Sequence, residues 1–125
     1  MKFRVARHTA DLAAHIHFYC DVAGFDLLGS FRDHDGYDGV FIGKQGADWH
    51  LEFTASAAAP DHRPDEDDLL VFYVEDATAL QAIKERFAKH GVLTHEPKNP
   101  YWHAHGVLYK DPDGYGVLFA HRATG

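Results

Sequence analysis

The feature that most constrains this chain is that its helix punctuation occurs twice. Asp11 precedes the stretch LAAHIHFYCDVA and Gly24 closes it, while Asp76 precedes ATALQAIKERFAKH and Gly91 closes it. An aspartate that accepts from the first free N–H groups starts a helix, and a glycine able to turn left-handed stops one. Leu12, Ile16, Tyr19 and Ala23 fall on one face of the first stretch, as Ala79, Leu80, Ile83 and Phe87 do on the second. His15 and His17, two apart on the first helix, point apart and are expected on the surface.

Strand-like runs surround each helix in the same order. Residues 2–9 precede the first helix, and 25–31, 37–42 and 49–54 follow it, divided by Asp33-His34-Asp35-Gly36 and Gly43-Lys44-Gln45-Gly46. Residues 69–74 precede the second helix, and 92–95, 106–110 and 115–121 follow, the last pair joined by Asp111-Pro112-Asp113-Gly114. Side-chain identity between the halves is low, so the repeat rests on element order and caps. The expected class is α+β: two βαβββ modules, residues 2–54 and 69–121, in a single domain with a linker at 55–68. A helix covers one face of each sheet. The other faces are expected to pair or curl into a curved mixed sheet around a cavity.

A length of 125 residues suits one domain. A formal charge of −7 argues against a nucleic-acid partner, which needs a basic face. No long apolar run or secretory signal is present, so no membrane partner and a cytoplasmic location are expected. The single cysteine, Cys20, cannot form an internal disulfide and reads as a structural thiol in a reducing compartment. P-loop, nucleophile-elbow, H-E-x-x-H and paired C-x-x-C motifs are all missing.

The segment RVARHTADLAAHIHFYCDVAGFDLL, followed at the far end by DPDGYGVLFAHR, resembles the opening and closing signatures of the vicinal oxygen chelate superfamily, the glyoxalase, bleomycin-resistance and dioxygenase group. The resemblance spans about residues 3–121, and HDGYDG, WHLEFT and NPYW are similar to a small bacterial subgroup of it. It implies the two-module fold, a homodimer, and in the enzymes a divalent metal held by four side chains, one from the first and last strand of each module. Such a centre chelates neighbouring substrate oxygens and stabilises an enolate. Carried over singly, the four positions are Arg4, seven residues before Asp11; Glu52; Leu69, seven before Asp76; and Leu118, four after Gly114. Leucine has no donor atom and arginine is permanently cationic, so only Glu52 is left and no metal cofactor is expected there. A one-residue slip offers only Phe3, Val5, Val117 and Phe119.

Strand alternation assigns the side chains expected to face the cavity. Arg4 and His8 share a face of the first strand, and His50, Glu52 and Thr54 one of the fourth. Leu69, Val71 and Tyr73 share one of the fifth, and Leu118 lies on the last. Arg4 and Glu52 are expected to form an ion pair in which the arginine replaces the metal's charge. The ligand candidates are Arg4, His8, His50, Glu52, Tyr73, Tyr101, Trp102 and Leu118, and Glu52 with His50 are the candidates for proton transfer. Plainer readings stand beside these: Glu52 as a sheet carboxylate balanced by Arg4, His50 as a neutral hydrogen-bonding histidine, and Tyr101 and Trp102 as core or dimer contacts. His103 and His105, two apart on an expected strand, offer a second, weaker metal possibility. Three functions remain open: a metal-free protein that binds a small organic molecule, a lyase or dioxygenase with displaced ligands, and a non-catalytic interaction domain.

Overall fold

The computed structural model describes residues 1–122, which form two compact units, Met1–His62 and a second beginning at Arg63. In the first, β1 (Phe3–His8) leads to α1 (Leu12–Ile16), then to β2 (Asp26–His34), β3 (Tyr37–Gly43) and β4 (Trp49–Ala55). The sheet order is β1-β4-β3-β2, with β1 parallel to β4 and the other pairs antiparallel. Asp11 caps α1, its carboxylate accepting from the Ala14 N–H at 3.0 Å, and Gly24 turns at φ +91°.

Between α1 and Gly24 the helix widens into a π-helical turn, His17–Val22, with the Ala23 N–H bonded to the Phe18 carbonyl at 3.0 Å. The buried stripe runs at three- and four-residue spacing but is rotated from the apolar stripe read in the sequence. Phe18, Tyr19 and Val22 are buried together with His15, whereas Leu12 and Ile16 are only half-buried. The surface expectation for His15 is therefore corrected. Its ring lies 4.4 Å from that of Phe53, and its Nδ1–H donates to the Asp11 carbonyl at 2.8 Å. An imidazole whose backbone partner is four residues back on the same turn is tolerated in a core. His17 does face solvent, paired with Asp21 at 3.1 Å.

The second unit carries β5 (Leu69–Val74), α2 (Ala77–Lys89), a 3₁₀ turn (Pro100–Trp102), β6 (Gly106–Lys110) and β7 (Gly116–His121). Its sheet order is β5-β7-β6, again with the first and last strands parallel. Asp76 caps α2 by accepting from the Ala79 N–H at 2.8 Å. Phe87 of that helix stacks on Tyr109 at 3.7 Å and leans on Phe119, so the Phe72, Tyr109 and Phe119 face is covered by α2. Asp111 closes the β6–β7 turn, its Oδ1 accepting from the Asp113 and Tyr115 N–H groups at 2.9 and 3.1 Å.

The α+β class holds, but the strand expected at 92–95 shrinks to one bridge, His95 to Leu108. The cause is local. Gly91 turns at φ +72° and Pro97 has no N–H to donate, so the stretch between them that can pair is short. Leu93 accordingly stays 79% exposed. Among the described residues no helix is long and apolar enough to cross a membrane.

Candidate functional site

Within each unit the parallel ladder follows the same pattern of register. Arg4 lies opposite His50 on the β1–β4 ladder, with Glu52 two residues on, opposite Ala6. Leu69 lies opposite Gly116 on the β5–β7 ladder, with Leu118 two residues on, opposite Val71. Arg4 and Leu69 thus occupy the same rung of the repeat, as do Glu52 and Leu118. The register assigns these pairs from backbone pairing alone, independently of any motif.

In the first unit, Leu51 and Phe53 of β4 turn toward α1 and are buried, which sends His50 and Glu52 to the other face of the sheet. Arg4 reaches both. Its Nε–H donates to His50 Nε2 at 3.0 Å, and its Nη1 lies 3.5 Å from Glu52 Oε1. The guanidinium also sits 5.4 Å above the Phe41 ring, whose edge meets His50 at 5.6 Å. The Glu52 side chain is 13% exposed and that of Arg4 52%, so the pair is covered on its acidic side and wet on its basic side.

This geometry bears on proton chemistry. Neutral imidazole has one N–H and one lone pair. The Arg4 bond uses the Nε2 lone pair, which puts the His50 proton on Nδ1 and leaves no free lone pair for a substrate proton. It bears on metal chemistry as well. The family positions present one carboxylate, already engaged by a guanidinium, and two leucines, so these residues do not fit a four-ligand divalent centre.

Leu118 is fully buried in a cluster with Leu108 and Ala120, against which Leu69, Val71 and Trp102 pack. The wall is tight. A Cβ at Gly116 would press on the Leu69 and Leu108 side chains, and one at Gly106 would come 2.9 Å from the Trp102 carbonyl. Beside this cluster a cleft of about 570 Å³ opens, lined by Tyr73, Tyr101, Trp102, His105, His121 and Arg122 together with Ala120. Three of the candidates, Tyr73, Tyr101 and Trp102, therefore meet here.

His8 and His103 are not grouped this way, whereas His105 lines the cleft. His8 is four residues along β1 from Arg4, with its Nε2 3.0 Å from Ser56 Oγ and its ring edge-on to Tyr37. His103 and His105 lie on a turn rather than a strand. His103 donates to the Pro97 carbonyl at 2.8 Å, whereas the His105 ring meets that of His121 at 5.1 Å. The two thus turn to different partners, and the basis for a shared metal site is gone. Cys20 is half-buried; burial, reinforced by Asp21 and Asp26 and opposed by Lys44, pushes its thiol up, which suits an unreactive role.

Residues 3–54 match the family model of the YycE-like N-terminal domain, and residues 67–121 that of the YycE-like C-terminal domain. The uncharacterised protein YycE of Bacillus subtilis (strain 168) is 42% identical over 121 residues, covering 94% of this chain and 86% of that protein. The chain belongs to the YycE-like family. The crystal structure of the B. subtilis YycE protein, whose function is unknown, superposes with a TM-score of 0.85 at 42% identity, covering 95% of this chain and 88% of that one. Two distant structures share the fold. One is the trypanothione-dependent glyoxalase I of Leishmania major (TM-score 0.73, 22% identity, 94% and 84% covered). The other is TnmS3, an antibiotic-binding protein of Streptomyces sp. CB03234 (TM-score 0.73, 22% identity, 98% and 96% covered). The YycE-like chain thus has the fold of the glyoxalase/bleomycin resistance/dioxygenase proteins.

Sequence reasoning passed over several members of these two clusters in the YycE-like chain. Phe41 was findable, because it lies opposite Glu52 on the β3–β4 ladder. His121 and Arg122 end the closing segment DPDGYGVLFAHR, but at the end of β7 strand alternation does not say which cluster they join.

Proposed function

We propose that this YycE-like chain binds a small organic molecule without using a metal at the superfamily's usual position. The observation that carries the reading is the Arg4 guanidinium, which stands where a metal ligand is expected and is bonded to His50 and Glu52. A cation already neutralises Glu52, and the equivalent rungs of the second unit are leucines. TnmS3 indicates that the fold is compatible with ligand capture, and the Leishmania enzyme that it is compatible with catalysis. The bonding of His50 favours capture. We further propose, from the family resemblance, that the two units act as one domain, that the chain is a cytoplasmic homodimer, and that Arg4, His50 and Glu52 contact the ligand; Leu118, expected among them, is fully buried against Leu108 and Ala120 and is out of a ligand's reach.

Elemental analysis of the purified protein tests the reading. Ni, Zn, Fe and Mn are expected well below one equivalent per chain, and unchanged in Glu52→Ala. One equivalent of any of them, lost on Glu52→Ala, overturns it in favour of a metal enzyme with displaced ligands. A thermal-shift screen of small organic molecules is expected to yield ligands that raise the melting temperature, since native-state binding stabilises by mass action. A screen with no such ligand leaves the interaction-domain reading in possession.

A further inference from the structure

We infer that the cleft of the second unit is a binding site for an aromatic carboxylate, with Trp102, Tyr101 and Tyr73 taking the ring and Arg122 the anion. The inference rests on the metal-free binding reading and gives it a ligand class and a place. At about 570 Å³, the cleft falls within the range of small-molecule pockets, roughly 300–1,000 Å³.

Its walls are aromatic and its rim is cationic. Tyr101 meets Trp102 edge-on at 4.9 Å, and Tyr73 lies 6.4 Å from Trp102 at a tilt of 49°. Tyr101 and Tyr73 are 74% and 53% exposed, so large ring surfaces stand toward solvent at the edge of a packed cluster. A flat ligand would cover them, and offset or edge-to-face ring contacts add to that burial. Arg122 holds its guanidinium 5.2 Å from the Tyr73 ring, and His105 and His121 meet edge-on beside it. A guanidinium offers a fork of donors matched to a carboxylate.

Charge argues most strongly. The chain carries a formal −7, with 19 acidic residues against 12 lysines and arginines. Yet the described residues that line this cleft include one arginine and two histidines and no aspartate or glutamate. A recess free of carboxylates in so acidic a chain selects for an anion. The rings beside it select for an aromatic one.

Isothermal titration of the full chain with 2-naphthoate tests this. Two comparators separate the ring from the charge: 2-naphthalenemethanol has the ring without the anion, and cyclohexanecarboxylate the anion without the ring. Saturable one-site binding of 2-naphthoate is expected, with both comparators about tenfold weaker or more. Arg122→Gln, at an exposed residue, is expected to weaken naphthoate about tenfold and leave the alcohol unchanged. Tyr101→Leu, also exposed, is expected to weaken both aromatic compounds. No saturation at millimolar 2-naphthoate, equal binding of cyclohexanecarboxylate, or indifference to both substitutions overturns the inference. If naphthoate is silent while the thermal-shift screen finds another ligand, this ligand class fails and metal-free binding stands. If a stoichiometric metal is lost on Glu52→Ala, that broader reading fails whatever naphthoate does.

Discussion

An arginine at a position where the family resemblance implies a metal ligand changes what the neighbouring carboxylate needs. Glu52 is mostly covered, and a covered carboxylate without a partner costs several times what an exposed one does. Arg4 supplies charge where a divalent ion would, but it is half-exposed and reaches Glu52 at 3.5 Å. The energy is therefore that of a partly wet pair, not of a buried one. A double-mutant cycle with Arg4→Ala and Glu52→Gln, measured by urea unfolding, is expected to give a coupling of about 0.5–1 kcal/mol that shrinks at high salt. A coupling indistinguishable from zero would remove the view of Arg4 as a substitute charge. This pair was legible in the sequence because period-two alternation and the parallel pairing of a module's outer strands put both residues on one face. The bond from Arg4 to His50 was not, since it depends on which guanidinium nitrogen meets which ring nitrogen.

At the scale of elements, caps proved the most legible signals and strand ends the least. Asp11 and Asp76 both accept from the N–H three residues on, as their position before apolar-periodic runs requires. Asp76→Ala is expected to cost about 1 kcal/mol, read as a lower denaturation midpoint with an unchanged slope. Asp76→Asn, which keeps an acceptor oxygen, is expected to recover most of that loss. An Asp76→Ala protein as stable as the parent would show that packing of Leu80 and Phe87 alone sets the start of α2. The misread histidine belongs to this scale too. Two stripes of this helix fit 3.6 residues per turn, and hydrophobicity alone does not select the one with His15, Phe18, Tyr19 and Val22, which is buried, over the one with Leu12 and Ile16. The strand expected at 92–95 has the opposite character, because Gly91 and Pro97, which bound the short stretch able to pair, are both visible in the sequence. The His103–His105 reading failed with it, since both depended on extended backbone where the chain turns.

At the scale of the molecule, the repeat rests on register more than on side chains, and this explains how one scaffold carries two unlike clusters. Rungs filled by Arg4 and Glu52 in the first unit are filled by Leu69 and Leu118 in the second, so a polar cluster and an apolar one occupy equivalent places. The border between the units falls at residues 62 and 63, inside the stretch expected to be a linker. Ala57, Ala58 and Ala59 in that stretch are exposed and outside any strand, while Ser56 and His62 are tied back to His8 on either side. Exposed backbone of small residues without ladder hydrogen bonds is where proteases cut first. Limited elastase digestion is therefore expected to make its first cut within residues 57–59, before any strand is lost. A first cut in the other exposed connection, residues 92–99, would show that the second unit opens more readily than the linker. The nicked chain also tests the single-domain proposal. Halves that co-migrate in native gel filtration behave as one domain, whereas halves that separate yet keep their circular dichroism behave as two.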